Sequence, residues 1–221
     1  MLTAAEVSAL VLSIKAASLS LLLILPPGLL IGWILAKFSF PGKSLLNTLV
    51  MLPMVLPPVV SGFFLLILFS KRGPIGGLLH RLFGLEIVFS WMAVVLAISV
   101  LSFPLLVRAI VTAIEGVNQQ LENAARTLGA SPLKVFFTVT LPLSYRGVIG
   151  GAILGFSRSL GEFGATMMVA GNIPGKTQTL PLAIYNFVQI GQDMSAYRLV
   201  FLSTLIAFAT LWVAERLYIK R

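Results

Sequence analysis

The segment LENAARTLGASPLKVFFTVTLP, residues 121–142, decides how this chain is organised. It is too polar to cross a bilayer, although apolar runs of spanning length lie on both sides of it. Four apolar residues in its first half fall on one helical stripe: Leu121, Ala124, Ala125 and Leu128. We therefore expect a short amphipathic helix at the membrane surface, placed to contact something in the cytosol.

The second half of this segment predicts another short helix. Gly129 is placed to end the first helix in a left-handed cap. Ser131 and Pro132 then suit the N-cap and first position of a helix over residues 133–140, which we expect to stop before Pro142. Such a helix pair can rest on lipid or insert into a groove on a partner, and amphipathicity alone leaves both open.

Composition defines the class of protein. Of the 221 residues, 58% are hydrophobic and 10% are charged, and the mean hydropathy is +1.01. A soluble protein could not bury that much apolar surface. The apolar runs are continuous rather than alternating, which favours helices over a barrel. We expect an all-α, polytopic membrane helix bundle with about five spans, over residues 7–35, 45–69, 87–107, 147–170 and 199–213.

The positions of Lys and Arg predict the orientation. Most of them fall on one side of the predicted spans, which we take as cytoplasmic: Lys37, Lys43, Arg108, Arg126, Lys134, Arg146, Arg216, Lys220 and Arg221. The N-terminus would then lie outside and the C-terminus inside, although Lys71, Arg72 and Arg81 fall outside in this arrangement. The net charge of +9 is mostly this topology signal, and no basic stripe with aromatic residues points to nucleic acid.

Prolines interrupt three of the predicted spans. Residues 26–28 read Pro-Pro-Gly, and the second span carries Pro57 and Pro58, followed by Ser61 and Gly62. A proline inside a helix frees a carbonyl that only protein or water can satisfy within lipid. These breaks suit a transport pathway or gate, and a static kink that lets helices pack is the alternative.

The fourth span carries two patterns. Gly147, Gly151 and Gly155 recur every fourth residue and predict close approach of another helix. Arg158 and Glu162 follow, four residues apart, and ionisable groups at that depth usually face a bundle interior or water. The pair could help an anion past, open and close during gating, or form a neutralised structural pair.

Residues 121–142 resemble the EAA loop of ABC-transporter permeases. That pattern is Glu-Ala-Ala, three residues, Gly, nine residues, Ile-x-Leu-Pro, and both spacings are intact here. Asn123 stands where the family usually has Glu, with Glu122 one residue earlier, and Val139 replaces Ile. The resemblance implies that an ATPase contacts the following residues: Glu122, Asn123, Ala124, Ala125, Gly129, Ala130, Leu141 and Pro142.

Two further stretches resemble molybdate permeases. They are LPMVLPPVVSGFFLLILFSKRGPIG, residues 52–76, and SRSLGEFGATMMVAGNIPGKTQTLPLAIY, residues 157–185. Sulfate and thiosulfate permeases are similar but usually depart within the second stretch. Tungstate is a further alternative because it matches molybdate closely in size and charge.

The resemblance implies a type I ABC importer permease fold, with one transmembrane domain over residues 7–215 and a cytoplasmic coupling loop at 118–142. It further implies a homodimer in the bacterial inner membrane, two cytosolic ATPase subunits and a periplasmic or lipid-tethered molybdate-binding protein. ATP and Mg²⁺ would bind to the ATPase, and this chain would hold no cofactor and would not itself be an enzyme. Transport would proceed by alternating access.

Other classes fit the sequence less well. Residues 170–177, AGNIPGKT, match a loose phosphate-loop pattern, but a membrane span precedes them and we expect them outside, near the binding protein. An intramembrane hydrolase would need a nucleophile and a base, and His80 is the only histidine. A secondary transporter explains broken helices but not a two-helix cytosolic loop, and it usually shows inverted repeats.

Overall fold

The computed structural model describes residues 2–219, apart from the side chains of residues 217–219. Lys220 and Arg221, used above for orientation, lie outside the described residues. The described chain is helical, and its elements are α1 (Ala4–Lys37), α2 (Lys43–Val55), α3 (Pro58–Phe69), α4 (Pro74–Phe83), α5 (Trp91–Glu115), α6 (Gln119–Thr127), α7 (Pro132–Val135), a π-helix (Phe136–Thr140), α8 (Leu141–Leu160), α9 (Gly164–Ala170), α10 (Leu180–Gln189) and α11 (Asp193–Ile219).

Four helical segments of the described chain are long and apolar enough to cross a membrane, namely α1, α5, the continuous run Pro132–Leu160 and α11. The pair α2 and α3 makes a fifth only as a broken span, because the two helices meet at 109°. The predicted all-α membrane bundle of about five spans is confirmed. The second predicted span is not one straight helix.

The centre of the bundle is formed by α1, α5 and α8. A Cβ added at Gly28 of α1 would lie 3.1 Å from Leu106 of α5, and one at Gly32 would lie 2.5 Å from Ile110. The residue numbers rise together, so α1 and α5 run in the same direction. Gly147 and Gly151 of α8 meet Ala113 and Ala109 in the reverse order, so α8 runs antiparallel to α5.

These directions define two ends of the molecule. At one end, here called the α6 end, α1 and α5 finish and α2 and α8 begin. At the opposite end, here called the far end, lie the start of α1, the start of α5 and the loops around α4 and α9. The cations used for the cytoplasmic side, where described, belong to loops and helix termini of the α6 end.

The structure differs from the sequence-based expectations at three places. Pro26 and Pro27 do not break α1, which runs through both. The predicted fourth span ends early, at Leu160, and α9 follows as a separate helix. The second surface helix does not stop before Pro142, since α7 continues through the π-helix into α8. Proline is tolerated in the first turn of a helix, and the wider π-turn absorbs the change of register.

Candidate coupling and transport sites

Helix α6 ends just before the glycine predicted to end it, and Asn118 caps its start. The Asn118 side chain accepts a hydrogen bond from the Gln120 N–H at 2.9 Å, which caps the first turn. Gly129 follows the helix with φ +83°, and a Cβ added there would meet no atom within 4 Å. A left-handed residue at this point turns the chain back, which suits glycine.

The apolar stripe of α6 faces outward. Leu121 is 50% exposed and Leu128 is 89% exposed. Asn123 and Ala124 are also exposed, and Ala125 and Ala130 are half-buried. An exposed apolar stripe on a polar surface helix is typical of a contact with a partner.

Glu122 faces the opposite way. Its side chain is 1% exposed, and it is the buried residue of α6. One carboxylate oxygen lies 2.8 Å from Lys37 Nζ at the end of α1. The other accepts a hydrogen bond of 2.6 Å from the Thr140 hydroxyl. Glu122 was predicted as an ATPase-contacting residue, but in this structure its carboxylate is engaged within the chain.

Helix α7, in the second half of the loop, is also capped as expected. The Ser131 hydroxyl accepts from the Lys134 N–H at 3.4 Å, and Pro132 is the first residue of α7. In the π-helix, Phe136 is buried and its ring lies 4.7 Å from that of Trp33 in α1. Leu141 and Pro142 then begin α8, so they join the loop to a membrane helix.

The break between α2 and α3 lies at Leu56 and Pro57. Leu56 has ψ 142° and Pro57 has ψ 133°, both extended, because a residue that precedes proline avoids the helical region. Ser61 lies in the first turns of α3, and its buried hydroxyl has no hydrogen-bond partner within the part of the chain that the structure describes. Gly62 is so close to α9 that an added Cβ would lie 2.7 Å from Ala165 Cα.

Arg158 and Glu162 form an ion pair with 2.9 Å between Arg158 Nη2 and Glu162 Oε2. Glu162 lies beyond the end of α8, in the turn before α9, and is buried. Its other oxygen accepts from the Ala165 N–H at 3.0 Å, so the carboxylate also caps α9. Arg158 is partly exposed and is the member of the pair that an anion could reach.

Comparison with known proteins decides the family. Residues 28–218 match the family described as "Binding-protein-dependent transport system inner membrane component". The chain belongs to this family.

Relatives and solved structures agree with this membership. The chain is 50% identical over 215 residues to the "Molybdenum transport system permease protein ModB" of Escherichia coli, which covers 97% of this chain and 94% of that protein. It is 41% identical over 158 residues to the "Sulfate transport system permease protein CysT" of Salmonella typhimurium, covering 72% of this chain and 57% of that one. A chain of the inward-facing MetNI methionine ABC transporter matches with a TM-score of 0.71 at 20% identity, covering 96% and 95%. The fold is that of an ABC importer permease.

Within this family member, the three glycines of α8 are not equivalent. Added Cβ atoms at Gly147 and Gly151 would lie 2.5 Å and 2.6 Å from the Cβ atoms of Ala113 and Ala109. At Gly155 the nearest atom, Leu106 Cβ, is 3.8 Å away, an ordinary contact. Close packing against α5 therefore depends on the first two glycines.

The phosphate-loop-like segment is a compact turn at the far end. The Thr177 hydroxyl accepts from the Ile173 N–H at 3.0 Å and donates to the Gly171 carbonyl at 3.3 Å. Helix α9 precedes the segment, and α10 begins later, at Leu180. A phosphate loop instead joins a strand directly to a helix.

Among the residues that sequence reasoning missed, three lie in buried polar contacts at the two ends of α1. Lys37 served only as an orientation signal, and Thr140 was not singled out. Glu6, at the far end, is buried and pairs with Arg198 of α11 at 2.7 Å. The sequence did carry one signal for these contacts. Glu6 and Glu122 are acidic residues inside or beside apolar runs, and a charge in such a place needs a partner.

Proposed function

We propose that this chain is the membrane-spanning permease subunit of an ATP-driven importer of molybdate. The observation that carries the proposal is the outward apolar stripe of α6, presented at the end where α1, α5 and α8 meet. Membership of a family of binding-protein-dependent transport components supports a contact between this surface and a partner of the transporter. The identity to relatives named as molybdenum transport permeases supports the choice of cargo.

In the proposed mechanism, two copies of the chain line the pathway. Each copy inserts its loop of residues 118–142 into a cytosolic ATPase, which binds ATP and Mg²⁺; the permease itself holds no cofactor and no nucleotide site. A periplasmic or lipid-tethered binding protein delivers molybdate. Closure of the ATPases on ATP draws the two α6 helices together and opens the pathway outward, and hydrolysis resets it.

The proposed orientation places the α6 end in the cytosol. The N-terminus then lies outside, the C-terminus lies inside, and residues 7–215 act as one transport domain of the bacterial inner membrane. The cations at the α6 end support this orientation.

The proposed gate lies at the break of the second span. Pro57 and Pro58 end the helical hydrogen bonding there, and Gly62 lies against α9, next to a Ser61 hydroxyl that has no partner among the described residues. Arg158 supplies a cation near the same junction, held by Glu162. Because Arg158 is a single cation, it would bind the molybdate anion only weakly. Tight binding would slow release of the anion and hence its passage.

Sulfate and thiosulfate form the second candidate cargo, supported by the identity to a sulfate permease over part of the chain. Tungstate is a third, because of its similar size and charge. A secondary transporter is disfavoured, since it has no use for a surface helix whose apolar stripe faces away from the bundle.

Uptake by whole cells tests the cargo. We expect deletion of the gene to abolish high-affinity uptake of labelled molybdate and to leave labelled sulfate uptake intact. The control is the deletion strain carrying the gene on a plasmid, with any redundant importer removed from both strains. Loss of sulfate uptake alone would replace molybdate by sulfate and keep the permease mechanism.

Substitution of Gly129 tests the docking loop. We expect Gly129→Asp to leave the protein inserted but to prevent co-purification of its ATPase, because the new side chain projects at the turn and carries charge. Gly84→Asp is a matched control, since Gly84 also follows a helix with positive φ, +65°, in open space, but at the far end. Normal ATPase co-purification with Gly129→Asp would contradict the docking assignment.

A further inference from the structure

The buried contact of Glu122 joins three elements through their side chains. Lys37 is the last residue of α1, Glu122 lies on α6, and Thr140 is the last residue of the π-helix before α8. The Lys37 side chain is 8% exposed, and Thr140 is buried with Glu122. Water therefore has little access to the ion pair.

A buried carboxylate with one cation resists separation. If α6 moved without α1, Glu122 would lose its Lys37 partner while still shielded from water, which costs far more than breaking an exposed pair. The remaining faces of α6 are exposed or half-buried. Glu122 is thus the side chain that ties the surface helix to the membrane helices.

The helices at the other side of this contact belong to the centre of the bundle. α1 packs along α5 through Gly28 and Gly32, and α8 packs on α5 through Gly147 and Gly151. The stacking of Trp33 on Phe136 links α1 to the π-helix beside the ion pair. A displacement of α6 is therefore passed to α1 and α8 together.

We propose that Lys37, Glu122 and Thr140 form a clamp that transmits the movement of the docking helix to the pathway helices. Resting on the proposed function, this makes Lys37 and Glu122 positioning residues for coupling rather than contacts to the ATPase. The outward residues of α6 bind the partner, and the inward carboxylate carries the displacement into the membrane.

The test uses the complete transporter, the permease with its ATPase and its binding protein, in proteoliposomes supplied with Mg-ATP and molybdate. Glu122→Gln keeps the side-chain shape and an oxygen for Thr140 but removes the ion pair. We expect the ATPase to co-purify and to hydrolyse ATP at the wild-type level, while molybdate imported per ATP falls about tenfold. Lys43→Gln, which removes another cation of the α6 end, is the control and should keep the wild-type ratio.

A charge exchange separates coupling from folding. Combining Lys37→Glu with Glu122→Lys restores an ion pair of reversed polarity, and we expect it to recover most of the lost molybdate-to-ATP ratio. A Glu122→Gln protein with the wild-type ratio overturns the clamp. So does loss of ATPase co-purification in that variant, because the pair would then only shape the docking surface.

The double variant with Lys37→Glu and Glu122→Lys can also contradict the clamp. If it unfolds at the wild-type temperature and remains as uncoupled as Glu122→Gln, the clamp is overturned as well. Failure of the proposed function looks different, because the wild-type chain itself would neither bind an ATPase nor import molybdate.

Discussion

Helix α1 is held at each of its ends by an ion pair with a buried carboxylate, and the two pairs differ in what they hold. At the far end, Glu6 of α1 pairs with Arg198 of α11, a long helix of the bundle, at 2.7 Å. At the α6 end, Lys37 of α1 pairs with Glu122 of a nine-residue surface helix at 2.8 Å. The first pair joins two membrane helices, and the second joins the bundle to the surface helix α6.

The two pairs also differ in how each carboxylate is satisfied. Glu6 accepts from the Arg198 Nε and Nη2 groups and, on its other oxygen, from the Thr3 N–H at 2.7 Å. Among the described residues, Glu122 has Lys37 and the Thr140 hydroxyl as its only polar partners. The Arg198 side chain is 39% exposed, whereas Lys37 is almost covered. A buried carboxylate that also accepts from a backbone N–H should tolerate loss of its cation better than a carboxylate that does not.

Lys37→Met should have the largest effect, since it leaves Glu122 buried without a cation. We expect the free energy of unfolding in detergent to fall by about 3–5 kcal/mol. Thermal unfolding of the purified permease measures it, with Lys43→Met as the control for loss of a lysine at the same end. A loss no greater than that of the control would remove the contrast between the two ends.

Arg198→Met should have a smaller effect, because the Thr3 N–H still donates to Glu6 and water can enter where the guanidinium was exposed. We expect a loss of about 1.5–3 kcal/mol. The same unfolding assay applies, with Arg198→Lys as the variant that keeps the charge. A loss larger than that of Lys37→Met would contradict the protective role assigned to the Thr3 N–H and to the exposure of Arg198.

Lys71→Gln should have the smallest effect and provides the exposed baseline. Lys71 Nζ lies 2.6 Å from Glu86 Oε1, and both side chains are largely exposed, so solvent screens the pair. We expect no resolvable change in the unfolding temperature at pH 7. A clear destabilisation there would mean that exposed pairs of this protein behave like the buried ones.

The pH dependence of this exposed pair has a definite sign. The hydrogen bond from Lys71 holds the pKa of Glu86 below its usual range. Whatever stability the pair contributes is therefore present above the ordinary pKa of the carboxyl and is lost as the pH falls through the lowered value. Any difference between Lys71→Gln and the parent protein should disappear at acid pH, measured by unfolding over a pH series. A difference that grows on acidification would contradict this assignment.

Two pairs of adjacent prolines show where prediction from the sequence stops. Pro57 and Pro58 break the second span, as the sequence predicted, whereas Pro26 and Pro27 lie within a continuous α1. The local restriction is the same in both cases. Gly28 and Gly32, just beyond the first pair, lie close against Leu106 and Ile110 of α5. Packing along α5 accompanies the unbroken helix, and sequence spacing does not report that packing.

Helix α6 gives the same lesson at the candidate site. Its position, its caps and its amphipathic stripe were predictable, because capping and periodicity are local. The burial of Glu122 was not predictable, because its partners Lys37 and Thr140 are distant from it in the chain. Here the stripe faces out and Glu122 faces in, because a cation at the end of α1 and a hydroxyl before α8 meet there.

The sequence by itself determined the class of protein, the approximate spans, the surface helix of residues 121–128 and the family, because hydropathy, caps and motif spacing depend on residues near each other in the chain. Only the tertiary structure decided the bend of the second span, the split of the fourth and the partners of Glu6 and Glu122. These depend on contacts between residues far apart in the chain, such as Glu6 with Arg198. A buried charge must find a partner, but only the packed helices determine which one is within reach.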